Sequence, residues 1–399
     1  FNPGWNVLLG RNATGKTTLL NLLSCVLRSD FTLLREEAFE IEFALVSDTA
    51  TVTAWLQHSP GAELSADPTY PSDAGWTLAY RVTLEVEGVP QVVVSSDGRI
   101  AHVRAGAGSA AQTSVARIVD APFLLRTAVH IDFARRANLA LASASTYRFD
   151  EALETFYAVV GDDRAGREAC TATPARLSLG PSRGVGQLRA VRLSFFPSAL
   201  VQSVPDGVVQ EAVTVDDTTL GASPSLAALP GLLGFARMTT TLAVLDSHDE
   251  EGRRWFNLGK LAFSFYRADG TMLRHDRLSF GQKRLLAFFY YLDANPHFVV
   301  ADELVNGMHH AWIDDCLRAM EGRQVFVTAQ NPLLLDHLHF ERPEDVTRRF
   351  VLCRVNPREG GGRETLWEHP TEAQGEEIQR AYDNGVLRVH EILRYEQLW

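Results

Sequence analysis

Three clusters of residues have the types and spacing to handle a nucleoside triphosphate. The first is Gly10-Arg11-Asn12-Ala13-Thr14-Gly15-Lys16-Thr17, followed by Thr18. In a G-x-x-x-x-G-K-T pattern the glycines let backbone N–H groups wrap phosphate oxygens, the lysine reaches the β- and γ-phosphates, and the threonine hydroxyl ligates Mg2+. The second is Leu278-Ser279-Phe280-Gly281-Gln282, a Ser-Gly loop opening an apolar helix. Ser279 offers a hydroxyl there, and Gly281 and Gln282 offer backbone N–H groups at a helix N-terminus, both suited to a phosphate. The third is Asp302-Glu303, two acids directly after an apolar run, followed by a second apolar run that leads to Gln330-Asn331. Asp302 is expected to hold the Mg2+ shell together with Thr17, and Glu303 to polarise an attacking water.

Each cluster needs an element to aim it. Trp5 to Leu9 reads as a short apolar strand running into Gly10, and Thr17 to Leu27 carries the leucine spacing of a buried helix. The spacing predicts a signature helix over Gln282 to Leu292, broken by Pro296. A fully buried strand follows over Phe298 to Ala301, with Val325 to Thr328 as its neighbour; open α/β sheets bind ligands at such carboxyl ends. Between these halves, Phe39 to about Val103 alternates with period two and contains Gly88 and Asp97-Gly98, which predicts an antiparallel sheet beside the phosphate-loop core. Asp67 to Gly75 reads as a loop, Ala105 to Ala111 as a linker, and Ala121 to Phe133 as a core strand whose His130 and Asp132 are structural or coupling residues. Asp150 to Val160 looks helical, and Ser223 to Val244 shows helix-like apolar spacing interrupted by Pro230. Leu261 to Phe265 and Thr271 to Leu273 form a hairpin about Ala268-Asp269-Gly270; Pro357 to Gly362 is a loop, and Glu372 to Leu398 a terminal helix interrupted at Gly385. The domain layout expected is 1–135 for the phosphate-loop core and β lobe, 136–295 for an insertion and helical lobe, 296–355 for the second half of the core, and 356–399 for a C-terminal helical segment.

Composition limits the function classes. The chain has 399 residues, is 46% hydrophobic, and has a formal net charge of -11. That charge argues against a surface that coats nucleic acid or anionic lipid without specificity. Arg164, Arg167, Arg176, Arg183, Arg189 and Arg192 thicken positive charge locally, so a nucleic-acid contact stays possible without being indicated. Cys25, Cys170, Cys316 and Cys353 are scattered, which suggests neither a zinc site nor a disulfide framework and fits a reducing cytoplasm. The longest apolar run, Leu285 to Leu292, is too short to span a bilayer, and no membrane association is expected. Phe1 rather than Met at the start is compatible with residues upstream. Of 38 basic residues only Lys16, Lys260 and Lys283 are lysines; Lys16 sits in the phosphate loop and Lys283 just past the Ser-Gly loop.

Together the motifs resemble the ATP-binding cassette ATPases: a phosphate loop, a signature close to Leu-Ser-Gly-Gly-Gln, and a strand ending Asp-Glu. The resemblance implies an α/β P-loop NTPase of ABC-ATPase type with an antiparallel β subdomain and a helical insertion carrying the signature. It also implies ATP and Mg2+ as cofactors, and a homodimer or higher homo-oligomer in which Ser279, Gly281 and Gln282 of one copy close over ATP held by the other. A narrower resemblance covers most of the chain. Asp302-Glu303-Leu304-Val305-Asn306-Gly307-Met308-His309, Thr328-Ala329-Gln330-Asn331-Pro332-Leu333-Leu334-Leu335-Asp336 and the ending Glu391 to Trp399 are similar to soluble AAA/ABC-type ATPases related to the overcoming-lysogenisation-defect proteins. Many of those belong to anti-phage systems of the Septu, PARIS and retron kinds, which implies a separate nuclease or toxin effector as partner. The alternatives are an ATP-holding scaffold with negligible turnover, or an SMC-like DNA-repair ATPase.

Three departures qualify the resemblance. Phe280 replaces the first signature glycine. Gln330 stands where the family has a histidine; a glutamine can hydrogen-bond a γ-phosphate but carries no charge, which implies slow hydrolysis. No glutamine is recognisable for the loop that senses Mg2+ in the family.

Overall fold

The structure is a computed structural model that describes residues 1–28, 31, 34, 37–46, 50–58, 78–88, 90–96, 101–106, 111–113, 148–150, 153, 156, 175–179, 186–189, 212–215, 224–250, 253–295, 297–328, 331–357 and 363–399. The expected turn at Asp97-Gly98, the loop Asp67 to Gly75, the strand Ala121 to Phe133 with His130 and Asp132, Pro296 and Gln330 lie outside them, as do Arg164, Arg167, Arg183 and Arg192. The chain forms two compact units, Phe1–Asn21 with Thr146–Trp399, and Leu22–Ser145.

The strands in chain order are β1 (Trp5–Leu9), β2 (Phe39–Val46), β3 (Ala50–His58), β4 (Leu78–Val86), β5 (Val92–Ser96), β6 (Ala101–Ala105), β7 (Ala111–Thr113), β8 (Ala175–Leu179), β9 (Gly186–Arg189), β10 (Ala212–Val215), β11 (Arg237–Glu250), β12 (Arg253–Tyr266), β13 (Met272–Arg274), β14 (Phe298–Ala301), β15 (Gln324–Thr328), β16 (Phe350–Pro357) and β17 (Arg363–Glu368). The helices are α1 (Lys16–Arg28), α2 (Pro224–Leu232), α3 (Phe280–Ala294), α4 (Ile313–Ala319), α5 (Pro332–Asp336), α6 (Pro343–Arg349), α7 (Glu372–Asp383) and α8 (Val389–Tyr395).

The first unit is organised on a five-stranded sheet in the order β14-β15-β1-β16-β17. β14, β15, β1 and β16 run parallel, and β17 is antiparallel to β16. Near-continuous apolar runs such as Val7-Leu8-Leu9 and Val325-Phe326-Val327 are buried, as a parallel sheet covered on both faces requires. β15 lies between the strand feeding the phosphate loop and the strand ending in Asp302-Glu303, so the carboxyl ends of all three meet at one edge. Among the described residues β14 is the outermost strand on its side, and it is nonetheless buried, with α3 packed on it. Tyr291 on α3 uses its hydroxyl to accept a hydrogen bond from the Val300 N–H at 3.0 Å, satisfying a donor that an edge strand would otherwise leave open. α3 is buried from Leu285 through Asp293, the mark of a helix surrounded by protein.

The same unit contains a second sheet, β10-β11-β12-β8-β9, with β13 paired to β12. The insertion before the signature therefore carries strands as well as helices. The apolar spacing of Ser223 to Val244 reads as helix-like with an interruption at Pro230, whereas the structure continues α2 past Pro230 to Leu232 and starts β11 at Arg237. Gly234 adopts a left-handed φ of 78°, which stops the helix, and the β-branched run Thr239-Thr240-Thr241 favours a strand. Pro230 lies inside α2, near its end. Met272–Arg274 returns against β12 as the hairpin expected, and the C-terminal helix divides into α7 and α8 with Gly385 between them.

The second unit is an antiparallel six-stranded sheet in the order β2-β3-β4-β5-β6-β7. Its period-two pattern buries Val52, Ala54, Leu56, Tyr80, Val82, Leu84 and Val92 with Cys25, Val26 and Phe31. Phe39, Ile41, Phe43 and Leu45 on β2 pack against that cluster while the intervening Glu40 and Glu42 are exposed.

Candidate nucleotide site

The phosphate loop bridges β1 and α1, and its shape depends on three residues with positive φ: Gly10 at 150°, Ala13 at 61° and Gly15 at 84°. Two of these also sit against a wall the motif does not contain. A Cβ on Gly10 would lie 2.5 Å from the Cys353 carbonyl oxygen, and one on Gly15 would lie 2.5 Å from Thr365 Cγ2. Trp367 Nε1 donates to the Gly15 carbonyl at 3.3 Å. The β16–β17 hairpin is thus the back of the loop.

Lys16 is buried, and its Nζ donates to the carbonyls of Gly10 at 2.6 Å and Arg11 at 2.9 Å. Burial lowers its pKa, and the nearby Cys353, Asp302 and Glu303 push it back up. Cys353 is itself a buried thiol raised to about 11 by desolvation. Arg11, Asn12, Ala13, Thr17 and Thr18 are exposed around the loop, and Thr14 caps it by donating to the Arg11 carbonyl at 2.8 Å.

Across from the loop, Thr17 Oγ1 donates to Asp302 Oδ2 at 2.8 Å, joining residues 285 positions apart. Thr328, at the end of β15, donates its hydroxyl to Asp302 Oδ1 and accepts the Glu303 N–H at 2.9 Å. Glu303 has a left-handed φ of 48°, and Asn306 Nδ2 donates to its Oε2. Such a φ costs a side-chain-bearing residue about 1–2 kcal/mol. Here the surroundings hold it: Thr328 takes its N–H, and Arg284 of α3 donates to its carbonyl at 3.2 Å. A hydroxyl and a carboxylate oxygen side by side are hard donors that suit Mg2+, which takes its other ligands from water and phosphate. Among the described residues no group of three or more His, Cys, Asp or Glu side chains forms a metal site of its own.

The structure thus brings Gly10 to Thr18, Asp302 and Glu303 to one edge of the sheet. Ser279, Gly281 and Gln282 form a separate feature at the start of α3. Ser279 is the N-cap: Gln282 N donates to its Oγ at 3.3 Å, and Ser279 N donates to Gln282 Oε1 at 2.9 Å, a capping box. A Cβ on Gly281 would lie 3.0 Å from the Gly307 carbonyl, and one on Gly307 would lie 2.6 Å from the Phe280 ring. The signature therefore rests on the Asn306-Gly307 turn that follows Glu303, and Phe280 remains 46% exposed.

Thr328 opens one of the motifs but was given no role in the site, and Arg148 lies in none of them. Thr328 could have been given one: it is the last residue of an apolar strand that precedes polar residues. Arg148 is buried, donates from Nε and Nη2 to Asp150 at 3.0 and 2.6 Å, donates from Nη1 to Asn21 Oδ1, and has Nη2 3.6 Å from Asp302 Oδ2. Nothing in its local sequence distinguishes it from the other arginines.

Comparisons with solved structures return SMC head domains. One, the SmcHead bound to the C-winged helix domain of ScpA, is 13% identical with a TM-score of 0.39, covering 94% of this chain and 93% of that one. The SMC head domain from Thermotoga maritima is 10% identical with a TM-score of 0.34, covering 93% and 92%. The Smc head domain with an extended coiled coil bound to the C-terminal domain of ScpA derived from Pyrococcus furiosus is 12% identical with a TM-score of 0.33, covering 96% and 94%. At these scores the likeness is remote. No curated protein matches significantly in sequence. The sheet order, the phosphate loop and the paired acids are those of a P-loop NTPase of ABC type, an ATP-binding ATPase. A family model described as "AAA domain, putative AbiEii toxin, Type IV TA system" matches residues 5–336, and the chain belongs to that AAA domain family.

Proposed function

We propose that this chain binds ATP with Mg2+ at residues 10–18 and hydrolyses it slowly, in a homodimer closed around the nucleotide. The observation that carries the reading is the 2.8 Å contact between Thr17 Oγ1 and Asp302 Oδ2, with the Lys16 ammonium beside them. Lys16 and the loop N–H groups bind the phosphates, and Thr17 and Asp302 are the residues that would hold the metal. A metal held there would supply positive charge to offset that of the phosphates. Glu303, oriented by Asn306, accepts the proton of the attacking water. Gln330 is assigned to the γ-phosphate by its motif position.

Ser279, Gly281 and Gln282 are assigned to the ATP of a second copy. Their capping box occupies the Ser279 and Gln282 N–H groups, which leaves the Ser279 hydroxyl and the Phe280 and Gly281 N–H groups at the start of α3 for a phosphate. By motif resemblance, the ATP-closed dimer regulates or scaffolds a separate nuclease or toxin in anti-phage defence, in the cytoplasm. No described helix is long and apolar enough to cross a membrane.

The test is Mg2+-dependent ATP binding and turnover by the purified chain beside Lys16→Ala and Glu303→Gln. Binding lost in Lys16→Ala and turnover lost in both variants support the reading. Unchanged nucleotide affinity in Lys16→Ala removes the site assignment. Tight binding without turnover in the unmodified chain moves the reading to an ATP-holding scaffold, and strong stimulation by DNA moves it to an SMC-like role.

A further inference from the structure

We infer that Arg148 is a positioning residue that acts as a built-in counter-cation for Asp302, holding the metal-binding oxygens together until a divalent cation displaces it. The inference rests on the ATP and Mg2+ reading of the site.

Asp302 Oδ2 is the oxygen that faces Thr17 Oγ1, and Arg148 Nη2 approaches that same oxygen at 3.6 Å. The guanidinium side chain is only 8% exposed and the Asp302 side chain 20%, so solvent screens the pair weakly. A buried guanidinium needs carboxylate and amide partners, and this one has Asp150 and Asn21 as firm anchors. Asp302 is its looser, third contact. A doubly charged ion seated between Thr17 and Asp302 would face this fixed positive charge at close range. Cation binding must therefore push Arg148 off Asp302 while Asp150 and Asn21 still tether it.

The displacement has a mechanical path. Phe149, the next residue, packs edge-on against Phe288 of α3 at 5.3 Å and against Tyr291 at 5.6 Å. Arg284 of α3 lies over the Phe149 ring at 5.2 Å and also donates to the Glu303 carbonyl at 3.2 Å. A shift at Arg148 is thus delivered to the signature helix, which Ser279 caps and whose first turn carries Gly281.

The experiment measures the dissociation constant of a fluorescent ATP analogue in EDTA and in Mg2+, for the full chain and its variants, and reads the ratio of the two. Arg148→Gln is expected to raise that ratio about tenfold, within the usual range of coupling between two ligands, while Arg148→Lys stays within about twofold of the unmodified chain. A purely structural role would change both constants together and leave the ratio unmoved. A ratio unchanged or lowered in Arg148→Gln overturns the inference. If Arg148→Gln does not fold, Asp150→Asn carries the test: it frees the guanidinium for Asp302 and is expected to lower the ratio, and a rise or no change overturns the inference. An unmodified chain that binds no nucleotide in either condition overturns the ATP reading and this inference with it.

Discussion

Glu303 is the residue where local conformation and chemistry meet. Its left-handed backbone turns the carboxylate out of the strand, and Asn306, three residues on, holds Oε2. Removing that hold leaves the acid in place but free to rotate. Asn306→Ala is therefore expected to lower kcat by on the order of tenfold to a hundredfold with little change in KM, since misorientation of a base acts on the chemical step and not on binding. Steady-state ATPase kinetics check this; an equal loss in KM would mean that Asn306 binds nucleotide instead. That Lys16, Thr17, Asp302 and Glu303 lie close together was legible in the sequence because short motifs after two apolar strands group them. Arg148 was not, because what makes it part of the site is a fold-back across 127 positions to Asn21 and a further reach to Asp302.

Among elements, the start of α2 depends on a residue of α3. Asp293 accepts the N–H of Ser225 at 3.2 Å and of Leu226 at 2.9 Å, satisfying two donors of a helix end that its own sequence leaves open. Asp293→Ala strands both, at about 1–3 kcal/mol for each unsatisfied group, and thermal unfolding should register the loss. Burial raises the Asp293 carboxyl above its ordinary value, against the lowering effect of those hydrogen bonds and of Arg323. Between the ordinary and the raised value the folded chain keeps a proton that the unfolded chain has released. This group therefore favours folding increasingly as pH falls through that window, and the contribution is lost as pH rises through the folded pKa. The melting difference between the unmodified chain and Asp293→Asn should vary with pH across that window; a constant difference would contradict the assignment. The phosphate loop has its own borrowed support: Gly15→Ala would drive a Cβ into Thr365 at a positive φ and is expected to abolish ATP binding, read by the same fluorescence titration. β2 was readable from its alternation, α1 from its leucine spacing, and β1, α3, β14 and β15 from their apolar runs between turn and breaker residues. The segment Arg237 to Val244 was misread because apolar residues there satisfy both helical and strand spacing, and Gly234 with the threonine run decides between them.

For the molecule as a whole, the proposed closure around ATP predicts a change of assembly. Glu303→Gln with saturating ATP and Mg2+ should sediment as a dimer, because hydrolysis no longer reopens it, and a species that stays monomeric under those conditions would rule out the clamp. The exposed Phe280 ring beside Gly307 is where a glycine would let two surfaces approach more closely, so Phe280→Gly should strengthen that dimer in the same measurement. The two-half character of the site was legible from the two ends of the sequence; the hairpin behind the loop was not, because Cys353, Thr365 and Trp367 carry no motif. That hairpin has a consequence for the life of the chain on the ribosome. β1 is made long before β16, one of its hydrogen-bonded neighbours, and the wall behind Gly10 and Gly15 spans Cys353 to Trp367. Synthesis runs from the N-terminus, so the phosphate loop is without this support until the hairpin from Cys353 to Trp367 has been made. Nucleotide capture is therefore expected to need this hairpin as well as the motifs: a copy cut before Cys353 should lose ATP binding although its phosphate loop and Asp302-Glu303 are intact.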